Sequence, residues 1–282
     1  MDPRSTFALP LKSPALVGAK DRHGWVGLFH ADGFVEDPVE AGTYRGTSNI
    51  ETFWDVFIGP QPSVAFVVER DFFGLRTLIR RATVVSVTEA DPVATLPVPA
   101  LIRYTLRDGL VGSLQAVWEP ILVIQWFLRR RFAGLRALTR HGTRMVARAG
   151  LRNGLRFGGT LVGGLGRVRA RNMIEMLLRG EAQEWATRLR SATSTIAGPD
   201  AEDDFTTAAA ALGRLKTITA GTLANLQIDQ LVACGRTVGA FLSDPNSEGA
   251  LAIMLRADPR GDIESLTAVW SPTPVVLAPR GA

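Results

Sequence analysis

Four runs in the first half of the chain carry the pattern of β-strands. Val64–Phe73, Arg76–Thr88, Pro99–Leu106 and Leu110–Trp118 are rich in Val, Ile, Thr and aromatic residues, and Asp108-Gly109 between the last two is a hairpin turn signal. The preceding residues change period. Leu16, Val17, Trp25, Leu28 and Phe29 fit one face of a helix over Leu16–His30, weakened by Gly18, Gly24 and Gly27 and ended by Asp32-Gly33. Ser48-Asn-Ile-Glu51 has the spacing of a capping box, which predicts a second helix over Asn49–Phe57, stopped by Gly59-Pro60. Helices followed by an antiparallel sheet define an α+β unit with the helices on one face.

The same order returns later. A helix is expected over Asn172–Ser191 around Trp185, then a polar stretch, a helix over Thr206–Leu215, and strands from Leu223 to Trp270. One phrase marks the correspondence: Ser113-Leu-Gln-Ala-Val-Trp118-Glu-Pro120 and Ser265-Leu-Thr-Ala-Val-Trp270-Ser-Pro272 agree at six of eight positions, 152 residues apart. That offset is a domain's length, whereas solenoid repeats recur every 20–50 residues or so. The expected organisation is therefore a first domain at 12–120, a basic Arg/Gly-rich helical linker at 121–171 and a degenerate second copy at 172–276, the two copies pairing as an intramolecular pseudo-dimer.

Composition supports two packed cores, with 282 residues of which 46% are apolar. The single cysteine, Cys234, lies in an apolar run and reads as a small buried hydrophobe, consistent with a reducing, cytoplasmic setting. The start of the chain carries Asp2, Pro3, Pro10 and Pro14 and lacks the basic, apolar pattern of a signal peptide. No apolar stretch approaches the roughly 20 residues of a spanning helix.

Charge singles out the middle of the chain. No acid occurs between Glu119 and Glu175, while twelve arginines do, so a chain of net charge +5 concentrates +12 there and is acidic elsewhere. Arg136, Arg140, Arg144, Arg148, Arg152 and Arg156 recur at every fourth position, preceded by Arg129, Arg130 and Arg131. On a helix such a stripe winds by about 40° per step. With Leu135, Leu138, Met145, Val146, Leu151 and Leu155 it makes a basic amphipathic helix or helix pair that needs a surface to lie on. The protein itself and an anionic membrane are both candidates. Nucleic acid fits poorly, because few aromatics interleave with the arginines.

The residues Trp25-Val-Gly-Leu28-Phe29-His30-Ala-Asp32-Gly33-Phe34-Val35-Glu36-Asp37-Pro38-Val39, then Tyr44-Arg45-Gly46 and Phe53-Trp54, resemble the ketosteroid isomerase and SnoaL-like branch of the nuclear transport factor 2-like (cystatin-like) superfamily. The resemblance covers about residues 16–119. It implies a curved antiparallel sheet wrapped on a long helix, a cone with an apolar interior. It further implies an apolar small-molecule ligand of steroid, isoprenoid or polyketide type, touched by Trp25, Phe29, Phe53, Trp54 and Trp118, and a proton-shuttling base at Asp37. Neighbouring residues of a strand face opposite ways, so one of Glu36 and Asp37 points into the cone and the other away. Such an acid could shuttle a proton between two carbons of an enone-type ligand.

The chain departs from the family at its two oxyanion donors. Ser13 stands near the position of the donor Tyr, and Leu101 or Ile102 at that of the donor Asp. Tyr104, on the appropriate strand, and Tyr44 are the two tyrosines that remain. A carrier without turnover is the alternative function, and an interaction scaffold at a membrane periphery a third. A pair of carboxylates, Asp37 and Asp71, bridged by Arg103 would suit epoxide chemistry, although no local motif supports it. His23, His30 and His141 have no metal-ligand spacing, and Gly163-Gly-Leu-Gly166 lacks the strand-turn-helix context of a dinucleotide loop, so no cofactor or metal is expected. Aligning the copies on Trp25 and Trp185 sets Gly198 against Asp37, which leaves acid-base chemistry to the first copy alone.

Overall fold

The computed structural model describes residues 3–88, 90–161, 164–180, 182–189, 193–272 and 275–276. Ser191, the expected end of a helix, and Gly163 lie outside them.

The first unit opens with α1 (Pro3–Thr6), α2 (Ala8–Gly18) and α3 (Arg22–Val26), continues through β1 (Phe29–Glu36), β2 (Tyr44–Arg45) and α4 (Thr47–Phe53), and ends with β3 (Ser63–Phe73), β4 (Thr77–Thr88), β5 (Asp91–Arg107) and β6 (Leu110–Val117). The single helix expected over Leu16–His30 is not formed. Lys20 adopts φ +57° between α2 and α3, and its ammonium donates to the carbonyls of Ile58 and Gln61 at 2.8 Å each. From Phe29 the chain is already strand and runs through Asp32-Gly33 with an irregularity in register. The second helix starts earlier than expected, capped by Gly46 without a side-chain bond, and relaxes into a π-turn over Trp54–Ile58. Asp108 and Gly109 both take positive φ in the tight turn between β5 and β6.

A cap of three helices follows: α5 (Pro120–Leu128), α6 (Arg131–Ala149) and α7 (Leu151–Gly159). Gly134 allows α5 and α6 to cross closely, since a β-carbon there would overlap the Phe127 carbonyl oxygen. Because backbone rather than a flexible side chain blocks the methyl, Gly134→Ala is expected to cost about 1–3 kcal/mol and to loosen the cap. Faster trypsin cleavage within the cap would register this; an unchanged digestion pattern would mean that the crossing adjusts freely. Gly150, at φ +84°, turns the chain between α6 and α7.

The second unit contains α8 (Gly166–Arg179), α9 (Ala182–Arg188), β7 (Thr193–Ala197), β8 (Glu202–Phe205), α10 (Ala208–Ile218), β9 (Gln227–Cys234), β10 (Thr237–Ser243), β11 (Ala250–Ala257) and β12 (Ile263–Ser271); β13 (Val275–Val276) then pairs with β3 of the first sheet. The polar stretch after Trp185 therefore holds two strands that composition did not reveal.

Both units are α+β, and their sheets share one order. The first runs β13-β3-β4-β5-β6-β1-β2 and the second, read in the same sense, β9-β10-β11-β12-β7-β8. In each, the opening strand lies parallel to the closing one, β1 on β6 and β7 on β12, and the other pairings are antiparallel. The repeated Ser-Leu-x-Ala-Val-Trp phrase lies within β12 and along β6, where Trp118 falls one residue past the strand's end, and the two strands hold the same place in the sheet order. Side chains alternate across each sheet. One set of buried residues on the first sheet meets α2, α3 and α4, while the other, including Phe72, Ile79 and Leu101, meets Phe241, Met254 and Val269 of the second sheet. Phe72 stacks on Phe241 with ring centres 5.7 Å apart, and Gly239 leaves room for Leu101.

Carboxylates tie the two units in both directions. Glu202 of the second unit accepts from the Arg76 and Thr77 amides and the Thr77 hydroxyl, at the start of β4. Glu40 of the first accepts from the Arg236 amide and the Thr237 hydroxyl, at the start of β10. No described helix is long and apolar enough to cross a membrane.

Candidate functional site

The concave face of the first sheet, the helices α2 and α3 and the cap enclose a cavity of about 310 Å³. This is at the lower end of the roughly 300–1,000 Å³ of small-molecule sites. Its wall is mainly apolar, contributed by residues such as Val17, Phe53, Leu96, Ile102 and Ala116. The cap supplies its roof. Val123, Ile124 and Phe127 come from α5, Leu138, His141 and Met145 from α6, and Phe157 from α7.

Asp37 follows directly after β1. Glu36 turns outward, where its carboxylate accepts from Thr43 Oγ1 and Gln115 Nε2, and Asp37 turns into the cavity. The Trp118 Nε1–H donates to Asp37 Oδ1 at 2.6 Å. Asp37 as a whole is half-buried and lines the cavity. Burial pushes the carboxyl up to about 6, and the Trp118 bond opposes that rise. A single carboxyl poised near neutrality in an apolar chamber can take a proton from a ligand and return it.

A second polar group lies deeper on the same face. Trp25 Nε1–H donates to Ser13 Oγ at 2.9 Å, and the Tyr104 hydroxyl donates to the same oxygen at 3.4 Å. All three residues line the cavity. Behind Tyr104 sits a buried ion pair, in which Arg80 donates to both Asp71 oxygens at 2.7 and 2.9 Å. Desolvation raises the Tyr104 phenol, with the Arg80 charge and the Ser13 bond acting in the opposite sense.

The expected ligand contacts divide. Trp25, Phe53 and Trp118 line the cavity, whereas Phe29 and Trp54 do not; both pack behind Trp25, with ring centres 4.9 and 5.5 Å from it. Tyr44 is likewise removed from the cavity, edge-on to Phe53 and Phe57, and its hydroxyl bonds Asn153 of α7. The carboxylate pair bridged by arginine is not formed. Asp71 is held by Arg80, and Arg103 projects from the opposite face to donate to Thr267 of the second unit.

The arginines also separate. Arg140 and Arg144 reach the cavity's roof. Arg148 pairs with Asp55 at 3.6 Å and Arg130 with Asp91 at 3.0 Å, and both bonds hold the cap to the first unit. Arg129, Arg131, Arg136, Arg152 and Arg156 are exposed. His141 rests edge-on against Phe57 at 5.4 Å, and burial, reinforced by the Arg144 charge, lowers its pKa so that it is neutral at pH 7. By sequence His141 falls within the basic linker at 121–171. Only tertiary packing reveals it as part of the roof.

The register of the second sheet corrects the comparison between copies. Ser113 faces Phe34 on β1, and its counterpart Ser265 faces Thr193 on β7. Counting three residues on from each, the equivalent of Asp37 is Ile196, not Gly198. Ile196 is fully buried in a core with Ile174, Trp185, Leu212 and Trp270, and the Trp185 indole donates to the Leu177 carbonyl. Among the described residues no cluster of three His, Cys, Asp or Glu could hold a metal ion.

No protein-family model matches the chain, and no curated protein does. Solved structures similar to it have ketosteroid isomerase-like and SnoaL-like folds. A Δ5-3-ketosteroid isomerase from Mycobacterium sp. is 23% identical over 42% of this chain and 95% of its own, with a TM-score of 0.38. RV0760c from Mycobacterium tuberculosis, in complex with estradiol-17beta-hemisuccinate, is 20% identical with the same coverages and TM-score. A putative SnoaL-like polyketide cyclase from Jannaschia Sp. CCS1 is 17% identical over 43% of this chain and 89% of its own, with a TM-score of 0.37.

Proposed function

We propose that the first unit binds a small apolar molecule carrying a carbonyl, of steroid, isoprenoid or polyketide type, and that Asp37 moves a proton between two of its carbons. The observation that carries this reading is the lone carboxyl in the cavity wall, held by the Trp118 indole and raised to about 6 by burial. An ionised Asp37 would remove a proton next to the ligand carbonyl, giving an enolate, and the resulting acid would return it at the far carbon of the double bond. Enolate formation also needs donors to the oxygen. Tyr104 and Ser13 supply hydroxyls on the cavity wall for that role. The second unit serves as an intramolecular partner that buttresses the convex face of the first sheet.

One observation favours a carrier without turnover. The Tyr104 hydroxyl is already engaged with Ser13, so a ligand oxygen must displace that bond to be held by it.

Androst-5-ene-3,17-dione separates the two. For a proton-transfer enzyme, enone absorbance should grow at least a hundredfold faster with the parent protein than with Asp37→Asn, and the rate should rise with pH to a plateau above about 6, as Asp37 ionises. Matching rates for parent and variant would end the isomerase reading, and tight binding without turnover would support the carrier.

A further inference from the structure

The cap has two faces, and the cavity accounts for one. On α6, Leu138, His141 and Met145 look inward, whereas Phe132, Leu135 and Val146 look outward. Phe132 is 89% exposed and Leu135 56%, and they flank one shallow groove with Arg136 and Thr139. The outer side of α5 continues the pattern with exposed Ile121, Leu122 and Leu128, and α7 does so with Leu151 and Leu155. Around these side chains stand Arg129, Arg131, Arg136, Arg152 and Arg156, exposed and with no carboxylate in ion-pair reach among the described residues. Large apolar side chains presented together to water mark an interaction surface.

We infer that this outer face docks on an anionic lipid bilayer, with Phe132, Leu135 and Leu128 entering the acyl boundary and the arginines meeting the headgroups. Charge selects this occupant. A second copy meeting this face with the same face, as in a two-fold dimer, would bring two acid-free arginine segments against each other, and like charges repel. Nucleic acid would satisfy the arginines but leave the aliphatic side chains without a base to stack on. A bilayer accepts both sets at once, as it does for amphipathic helices lying in the interface. The roof of the cavity would then be the element that touches the membrane, so an apolar ligand could enter from lipid without crossing water. This last step rests on the ligand reading proposed above, whereas the docking does not.

Flotation of the full chain with vesicles of phosphatidylcholine alone, or mixed with phosphatidylglycerol, tests it. Binding should require phosphatidylglycerol and weaken with salt. Arg129→Gln, Arg131→Gln and Arg136→Gln together should reduce it by on the order of a hundredfold, about fivefold for each arginine, and Phe132→Ser with Leu135→Ser by at least tenfold. Uptake of N-phenyl-1-naphthylamine in vesicle-free solution, unchanged by these substitutions, controls for folding. Binding without uptake by any form would remove the ligand reading and leave the docking standing. Absent or lipid-indifferent binding would overturn the docking. So would a concentration-dependent dimer abolished by Phe132→Ser, or preferential binding to a DNA duplex.

Discussion

Arg80→Met should destabilise the protein by about 3–5 kcal/mol, the cost of leaving a buried charge without its partner. Both members of the Asp71–Arg80 pair are only 1% exposed, and the arginine donates through two nitrogens to two oxygens. They face each other across β3 and β4 on the side of the sheet that carries Tyr104, with the guanidinium 5.9 Å from its ring centre. Removing the arginine strands a carboxylate among side chains that cannot solvate it. Removing both charges does not, so Asp71→Leu combined with Arg80→Met should recover most of the loss. Urea unfolding of the parent, single and double variants measures this, and a single-variant loss under about 1 kcal/mol would show that water reaches the pair. Because Tyr104 rests against the arginine, the single variant should also perturb the cavity wall.

Asp37→Asn should make the protein more stable at pH 8 by roughly 3 kcal/mol, although it removes the group to which we assign proton transfer. Burial raises the Asp37 carboxyl from its ordinary 3.8 to about 6 in the folded protein. The native state therefore binds the proton more tightly than the unfolded chain does. That contribution is complete below about pH 4 and is lost as pH rises through about 6, and a rise of this size is worth about 3 kcal/mol. Asparagine keeps an oxygen for the Trp118 indole to donate to and has no charge to desolvate. The difference in unfolding free energy between variant and parent should thus grow between pH 4 and pH 8, and a flat difference would mean that the carboxyl is well solvated. A gain of stability together with the loss of turnover proposed for this variant would mark a group kept for function at the expense of stability.

Much of the sheet was legible because its strands carry their own patterns. Val64–Phe73 and Leu110–Trp118 differ from the observed β3 and β6 by a residue at one end, and Asp108-Gly109 forms the expected turn. The first half of β5, residues 91–98, was missed since Pro97 argues against a strand. Among the described residues, however, 91–99 pair only with β4, because the pairing with β6 begins at Leu101, so this proline borders an edge that no other described strand covers. The strands β7 and β8 were hidden for another reason. The second of them, Glu-Asp-Asp-Phe, is largely solvent-facing and has no apolar alternation to read. The break at Lys20 depends on carbonyls about forty residues away, which no local pattern encodes.

The site divides along the same line. Asp37 and Trp118 stood out in the sequence, but their hydrogen bond, and the absence of Phe29 and Trp54 from the cavity wall, follow from how strands and helices meet. The basic segment gave a clear helical period without saying what covered it. Its inner face turns out to roof the cavity, so helices that read as a linker are part of the chamber.

The paired ties made by Glu40 and Glu202 bear on how two such units can differ. In a homodimer, both halves of an interface are encoded by the same stretch of sequence, so a substitution that fills one chamber fills the other. Here each half of the contact has its own codons. Ile196 and Trp185 can close one interior while Asp37 stays in the other, and the contact between sheets is left intact. Joining the units in one chain also makes their association independent of protein concentration. A protein built this way holds one chamber per chain at any dilution.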